Sequence, residues 1–290
     1  MKTNIDGKTK LLGLFADPCT HSNSPLIHNK SFQILGINMV YLAFQVNETN
    51  IKEAIDALKT LQMVGANLSM PNKRIAIPYL DRLSPEAELI GAVNTIVNDD
   101  GILTGYITDG IGYVKSLEEE GINIRDKKIT VVGAGGAGAA ICIQSALEGA
   151  REIAIFNRTL EKAQSIANKI NDSTACKASP YSLKEYEALK REMMDSHIFT
   201  NATNIGMGRF ENESLIEDDD FFREDLVVVD IIYNPRKTKM LEMAEKKGCK
   251  IINGMGMLIH QAAEAFRLWT GENMPIEYIK DIFNKEDIKG

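Results

Sequence analysis

From Thr130 onward the chain alternates short apolar runs with helical or loop segments. Strands are expected at Ile129–Val132, Ile153–Phe156, Ile198–Asn201, Leu226–Ile231 and Lys250–Ile252. These runs are mostly apolar rather than alternating, which indicates burial on both faces, as in a parallel doubly wound sheet. Alternation also runs through the first half. Leu11–Phe15, Val40–Val46 and Gly65–Ser69 read as strands, Pro25–Leu35 and Ile51–Leu61 as helices. Ala92–Val97 and Ile102–Tyr106 flank an Asn-Asp-Asp-Gly turn, a hairpin signal. Helix Ile111–Glu120 then leads to the Ile129 strand. Helices Met257–Thr270, with Gly271 as its C-cap, and Pro275–Phe283 close the chain. The pattern predicts two α/β domains: residues 1–110 joined by the C-terminal helices 257–290, and residues 111–256.

Lys128 to Gly138 run from an apolar strand into Gly-Ala-Gly-Gly-Ala-Gly and a small-residue helix, Ala139–Glu148. Gly133, Gly135 and Gly138 fit the dinucleotide fingerprint: a tight turn, close backbone approach to a pyrophosphate, and close helix–strand packing. The helix N-terminus would direct free N–H groups at the phosphates. A βα turn without a ligand would also use such glycines, but the strand before and the helix after supply the required context. The strand Ile153–Phe156 ends in Asn157-Arg158-Thr159 rather than in a carboxylate. A guanidinium beside a hydroxyl and an amide suits a 2′-phosphate, which favours NADP over NAD. The plainer reading makes Thr159 a cap for helix Leu160–Ile170 and Arg158 a solvated charge.

Composition narrows the partners. The chain has 290 residues and a net charge of −7, which argues against nucleic acid as a partner because phosphate neutralisation needs a basic face. Cys19, Cys142, Cys176 and Cys249 are scattered, as expected for reduced thiols in the cytoplasm. The N-terminus lacks an apolar leader, and no apolar run approaches the roughly 18 residues of a membrane span. His21, His28, His197 and His260 are dispersed, so no metal is expected.

The front half is dense in polar residues at strand ends, where open α/β sheets bind ligands. Ser22 and Ser24, in His-Ser-Asn-Ser-Pro, offer two hydroxyls and helix N-terminal amides to an anion; alternatively, Ser24 is only the N-cap ahead of Pro25. Lys73 sits on the first turn of a helix opened by Pro71, a position the helix dipole disfavours for a cation. Asp109 serves either as a helix N-cap or as the carboxylate of a Lys–Asp proton-handling pair. Tyr233–Lys237 and Tyr186–Lys190 match a Tyr-x-x-x-Lys pattern. The first is interrupted by Pro235, and the second lies on a charged, solvated helix face, so neither is taken as catalytic.

Taken in order, His-Ser-Asn-Ser-Pro, Asn-Leu-Ser-Met-Pro-Asn-Lys, Gly-Ala-Val-Asn-Thr, Thr-Asp-Gly-Ile-Gly, Gly-Ala-Gly-Gly-Ala-Gly, Asn-Arg-Thr and Gly-Met-Gly-Met-Leu-Ile-His-Gln-Ala resemble the shikimate dehydrogenase family over essentially the full length. The resemblance is nearest the quinate/shikimate branch. It implies an N-terminal substrate-binding domain, a Rossmann-like dinucleotide-binding domain and an active-site cleft between them. Ser22 and Ser24 would hold the substrate carboxylate, and Ser69, Asn94 and Gln261 the ring hydroxyls. Lys73 and Asp109 would manage the hydroxyl proton. Gly133, Ala134, Gly135, Gly136, Ala137 and Gly138, with Asn157, Arg158 and Thr159, would bind the dinucleotide. Ile231, Tyr233 and Gly254 would line the site near nicotinamide and substrate. Ile107 replaces the family's usual Asn, so no polar contact is expected from it.

The expected reaction is reversible oxidation of shikimate to 3-dehydroshikimate in aromatic amino acid biosynthesis, with NADP. The alternatives are quinate oxidation with NAD or NADP, a folate-intermediate dehydrogenase, and a dinucleotide-binding protein without catalysis. The expected partner is a small acid, and the expected assembly is a homodimer.

Overall fold

A computed structural model describes residues 5–287; residues 1–4 and 288–290, part of the expected first domain, lie outside the described residues. The chain forms two compact units. One comprises the chain through Thr108 together with the chain from Ile259, and the other runs from Asp109 to Leu258.

The first unit contains β1 (Lys10–Ala16), α1 (Ser24–Leu35), β2 (Met39–Gln45), α2 (Ile51–Thr60), β3 (Gly65–Leu68), α3 (Asn72–Ile75), β4 (Arg82–Leu83), α4 (Pro85–Ile90), β5 (Thr95–Asp99) and β6 (Ile102–Tyr106). Its six-stranded sheet has the order β2-β1-β3-β5-β6-β4. β1 is parallel to β2 and β3, whereas β5 runs antiparallel to β3 and β6. The β5–β6 hairpin turns through Asp100 and Gly101, with φ of 48° and 91°. Two consecutive positive φ angles match the right-handed twist of a two-residue hairpin. β5 starts at Thr95 rather than at Ala92 because the Val93 amide is committed to Lys73 O on α3 (2.7 Å). β2 is an edge strand, and its outer backbone is covered by one side chain: Asn29 donates to Tyr41 O (2.8 Å) and accepts from Tyr41 N (2.9 Å).

The core of this unit contains an aromatic cluster. His28 stacks on Tyr41 (centroids 4.6 Å, 21°) and meets Trp269 edge-on at 5.2 Å, while Phe32 stacks on Phe266 at 5.3 Å. Trp269 Nε1 donates to Ile96 O at 2.9 Å, directly over Gly65, where a Cβ would sit 2.6 Å from that indole nitrogen. His28 is fully buried, and neither ring nitrogen makes a hydrogen bond of normal geometry among the described residues. Burial pushes its imidazole down to about 3, offset only in part by the Asn67 amide. The unfolded chain therefore takes up this proton first, near pH 6.5, so His28 contributes full stability above that pH and loses it as pH falls toward 3. At pH 4 the loss is about 3 kcal/mol. His28→Leu is expected to reduce the drop in urea-unfolding stability between pH 7 and pH 4 by that order; an unchanged drop would locate the acid sensitivity elsewhere.

The second unit holds α5 (Asp109–Glu119), β7 (Lys128–Val132), α6 (Gly136–Leu147), β8 (Glu152–Asn157), α7 (Leu160–Ser173), β9 (Lys177–Ser182), α8 (Tyr186–Asp195), β10 (Ile198–Asn201), β11 (Val227–Asp230), α9 (Lys239–Lys246) and β12 (Lys250–Ile252). Its sheet is parallel throughout, in the order β12-β11-β10-β7-β8-β9. Numbered within the unit, this is the 3-2-1-4-5-6 winding, reversing between β7 and β10. β7 is buried at all five positions, Lys128 and Thr130 included, as a central strand covered on both faces requires. β9 was not expected from sequence. Its Lys-Ala-Ser-Pro-Tyr-Ser has no apolar run, and Pro180 is tolerated because β9 is the outermost strand. α10 (Met255–Thr270) begins in the second unit and continues into the first, followed by α11 (Ile276–Asp287).

Candidate active site

In the first unit the expected substrate residues gather at the C-terminal ends of β1 and β3. Ser69 N donates to Phe15 O, and Ser69 O accepts from Asn72 N at 2.7 Å. Asn72, fully buried, donates both amide hydrogens, to Phe15 O (3.0 Å) and Val46 O (2.7 Å). That double bond fixes the start of the four-residue α3 and with it half-buried Lys73. Because Lys73 O holds Val93 N, the lysine backbone lies against the segment that presents Asn94.

Asn94 is the hub of this unit. Its Oδ1 accepts from Thr108 N (2.9 Å) and Thr95 Oγ1 (3.0 Å), which assigns Nδ2 to Thr108 Oγ1 (3.0 Å) and Gln261 Oε1 (3.4 Å). Thr108 Oγ1 also donates to Gln261 O at 3.0 Å, so α10 is tied to the segments flanking β5 and β6 through the residue the sequence selected. Asn67, buried beneath, donates to Asn94 O (3.0 Å) and Thr95 Oγ1 (3.1 Å). Ser24 is the first helical residue of α1 rather than its cap. The N-cap is Asn23, with no side-chain capping bond, and Ser22 Oγ accepts the Ser24 N–H at 3.2 Å. Ile107 is buried and apolar, as its side chain requires.

In the second unit the glycine turn closes β7 at the winding reversal. Gly133 has φ 116°, and a Cβ there would lie 2.5 Å from Ala202 O. At Gly138 a Cβ would overlap the Gly133 carbonyl, so helix and turn are in direct backbone contact. At Gly135, the N-cap of α6, a Cβ would meet nothing within 4 Å. The middle glycine thus leaves open space over the helix N-terminus, while the outer two are demanded by packing. This geometry fits a pyrophosphate seated on α6. Gly136 and Ala137 form the first turn of α6, and Ala134 N donates to Asn157 Oδ1 at 3.1 Å. Asn157 Nδ2 donates to Thr159 O (2.8 Å), so its amide braces the loop that carries Arg158. Arg158 and Thr159 are exposed, and Thr159 occupies the N-cap of α7 without a side-chain capping bond. The capping role therefore does not consume its hydroxyl.

Asp109 is buried at the first position of α5, where unpaired helix N–H groups favour a carboxylate. Gly110 lets α5 pack onto α6, since a Cβ there would sit 2.5 Å from Ala140 O. Ile231 and Gly254 meet directly: Gly254 N donates to Ile232 O (2.9 Å), and a Cβ on Gly254 would overlap Ile231 O. Tyr233 follows, its phenol pushed up by burial. This segment is held by a group the sequence reading did not select. Asp230, fully buried at the end of β11, accepts from Asn201 Nδ2 (3.2 Å to each oxygen), Ile232 N (3.1 Å) and Thr238 Oγ1 (2.8 Å). Burial raises its carboxyl to about 6, against these donors. A carboxylate closing an otherwise apolar strand was the available signal.

Of the two Tyr-x-x-x-Lys matches, Tyr233 lies outside any helix, and Tyr186 and Lys190 both cover Phe221, at 4.9 and 5.4 Å from its ring centroid. All four cysteines are free thiols. Among the described residues no helix is long and apolar enough to cross a membrane.

A parallel sheet wound in this order, with a glycine turn at its reversal and an open helix N-terminus above it, defines a dinucleotide-binding α/β protein. The chain belongs to the shikimate dehydrogenase family. Residues 14–96 match the model of the shikimate dehydrogenase substrate binding domain, residues 115–265 that of shikimate/quinate 5-dehydrogenase, and residues 254–282 that of the shikimate 5′-dehydrogenase C-terminal domain. It is 53% identical over 283 residues to the shikimate dehydrogenase (NADP⁺) of Alkaliphilus metalliredigens, covering 97% of this chain and 99% of that one. The corresponding protein of Listeria monocytogenes is 50% identical over 281 residues, covering 96% and 97%. The crystal structure of shikimate 5-dehydrogenase from Listeria monocytogenes in complex with shikimate and NAD is similar with a TM-score of 0.95 and 49% identity, over 98% of this chain and 99% of that one.

Proposed function

We propose that this chain catalyses the reversible oxidation of shikimate to 3-dehydroshikimate with NADP, as a step of aromatic amino acid biosynthesis in the cytoplasm. The observation that carries the reading is the cluster of Lys73, Asn94 and Gln261, tied together through Val93 N and Thr108, with Ser69 at the C-terminal end of β3. Ser22 and Ser24 bind the carboxylate at the start of α1, and Ser69, Asn94 and Gln261 bind the ring hydroxyls. Lys73 and Asp109 take the proton from the hydroxyl being oxidised and return it in the reverse direction. NADP, when bound, supplies the acceptor for the hydride. Gly133–Gly138 would hold its pyrophosphate, Asn157–Thr159 the adenosine 2′-phosphate, and Ile231, Tyr233 and Gly254 the nicotinamide end. The test is absorbance at 340 nm with shikimate or quinate and NADP or NAD. Shikimate with NADP is expected to give the highest kcat/KM, and a preference for quinate with NAD would move the chain to the runner-up reading. Sedimentation velocity tests the homodimer that belongs to the same proposal.

Cofactor choice rests on Arg158. It follows β8, where the ribose is read in this winding, and no carboxylate stands beside it to repel a phosphate. A charge-assisted bond of this kind contributes about 1.5–3 kcal/mol. Arg158→Ala is therefore expected to raise KM for NADP about 10- to 100-fold and leave KM for NAD unchanged. Equal effects on both cofactors would remove Arg158 from the 2′-phosphate site.

A further inference from the structure

Three neutral groups donate to the buried Asp230 carboxylate, and each also holds a further piece of backbone at the C-terminal end of the second sheet. Asn201 Nδ2, at the end of β10, reaches Ile205 O as well (3.1 Å), and Asn201 Oδ1 accepts from Thr203 N (3.0 Å), so the loop after β10 is tied to the same group. Ile232 N donates to Asp230, and Ile232 O accepts from Gly254 N at 2.9 Å, just beyond β12. Thr238 donates its hydroxyl to Asp230 and accepts from Leu241 N (3.4 Å), so it also caps α9. The loops pack on one another too: a Cβ on Gly206, at φ 106°, would lie 3.0 Å from Thr238 Cγ2 and 3.3 Å from Ile232 Cδ1. One carboxylate thus gathers the connections that follow β10, β11 and β12. Its contacts use acceptors on both oxygens, whereas an amide of the same size would turn an NH2 group toward at least one donor. In a sheet wound in this order, each half serves one nucleotide of a dinucleotide. β7 and β8 carry the glycine turn and Asn157–Thr159, and the loops that Asp230 gathers belong to the other half.

We propose that Asp230 is a positioning residue for the nicotinamide half of the dinucleotide: its carboxylate holds the loops after β10, β11 and β12 in one seat, on which the adenosine half does not depend. This rests on the NADP-binding part of the reading above. Without the carboxylate, Ile232 N and the Thr238 hydroxyl are left as buried donors that have lost their acceptor. The Ile231–Tyr233 segment then loses its registration against Gly254. The bonds of Asn157 to Ala134 N and Thr159 O close within the other half and stay as they are. A displaced nicotinamide costs rate as well as affinity, because hydride transfer needs the reacting atoms in near-attack geometry.

The test is Asp230→Asn, with calorimetric titration of NADP and of adenosine 2′,5′-bisphosphate, the adenosine half alone, alongside steady-state rates. The variant is expected to raise Kd for NADP about 5- to 20-fold and to lower kcat about 10- to 100-fold. Kd for the bisphosphate should stay within about twofold of wild type and KM for shikimate within about threefold. A merely structural carboxylate would lower the unfolding midpoint and leave the ratio of the two affinities at its wild-type value. That result overturns the proposal, as does NADP affinity with kcat near wild type. If Asp230→Asn does not fold, as judged by far-ultraviolet circular dichroism, Thr238→Val and Thr238→Ser carry the comparison. The valine should separate NADP from the bisphosphate in the same way, and the serine, which restores the hydroxyl, should not; a separation in both or in neither overturns the proposal. Failure of the wild-type chain to oxidise shikimate would overturn the substrate reading, while the two titrations still decide the role of Asp230. Failure of the wild-type chain to bind NADP would overturn both.

Discussion

Replacing Lys73 with alanine is expected to lower kcat for shikimate oxidation by about 10²- to 10⁴-fold, with KM for shikimate changed only severalfold. That range is what a positioned proton-transfer group contributes. Alanine is a suitable probe because the backbone at this position does not depend on the side chain. Asn72 anchors the turn through Phe15 O and Val46 O, and the Lys73 carbonyl holds Val93 whatever the residue. The substitution therefore removes the ammonium while leaving these backbone bonds in place. An interaction made chiefly in the transition state lowers kcat and kcat/KM together, whereas a binding contact raises KM at constant kcat. Asp109→Asn should fall in the same class, because the amide keeps the size of the buried carboxylate at the start of α5 but cannot accept a proton. Steady-state rates for both variants decide the matter. Turnover near wild type for Lys73→Ala would remove it from proton transfer, whatever the dinucleotide site does.

What the sequence made legible was the part of the molecule where physics leaves few choices. The glycine turn could be read because Gly133 and Gly138 sit where any side chain meets backbone, so the motif states its own geometry. The Asp100-Gly101 hairpin could be read because two positive φ angles demand that pair of residues. The doubly wound sheet followed from apolar runs buried on both faces, and the residues proposed for the cradle were selected from polar groups placed at strand ends and from the family pattern.

The illegible parts are long-range or written in ordinary residues. Tyr41 sits in Met-Val-Tyr-Leu-Ala-Phe and looks like one more apolar strand position; its bond to Asn67, 26 residues on, exists only once β1 has brought β2 and β3 onto its two edges. Asn29 repairs the edge of β2 from a helix, a role that no local pattern announces. β9 was hidden because an edge strand needs neither an apolar run nor a complete set of amides, and so accommodates Pro180. Asp230 lies within the expected strand Leu226–Ile231, where nothing local announces that its buried carboxylate, with four donor contacts, shapes the Ile231–Tyr233 segment. Local chemistry finds residues that touch a ligand. It does not find the residues that hold those in place, since their partners are chosen by topology.

Gly133→Val is expected to abolish useful NADP binding, weakening it by at least about 10²-fold, while shikimate binding by the first unit persists. Two costs combine at this position. A β-branched residue is a genuine outlier at φ 116°, a strain of about 1–3 kcal/mol. In addition, its Cβ would press on Ala202, 2.5 Å from the carbonyl oxygen and 2.7 Å from the carbonyl carbon. That carbonyl cannot give way cheaply, because Ala202 N is bonded to Val132 O at 2.7 Å and locks the end of β10 to the end of β7. The turn must move instead, and Gly138, in backbone contact with Gly133, moves with it. The entry of α6 is thereby displaced from the position where its N–H groups would meet a pyrophosphate. The chain's single tryptophan, Trp269, lies in the first unit against His28 and Tyr41 and gives an internal control. Its emission should be unchanged in the variant and should still respond to shikimate, while calorimetric titration with NADP shows the loss. NADP affinity within threefold of wild type would mean that the dinucleotide is seated somewhere other than this turn.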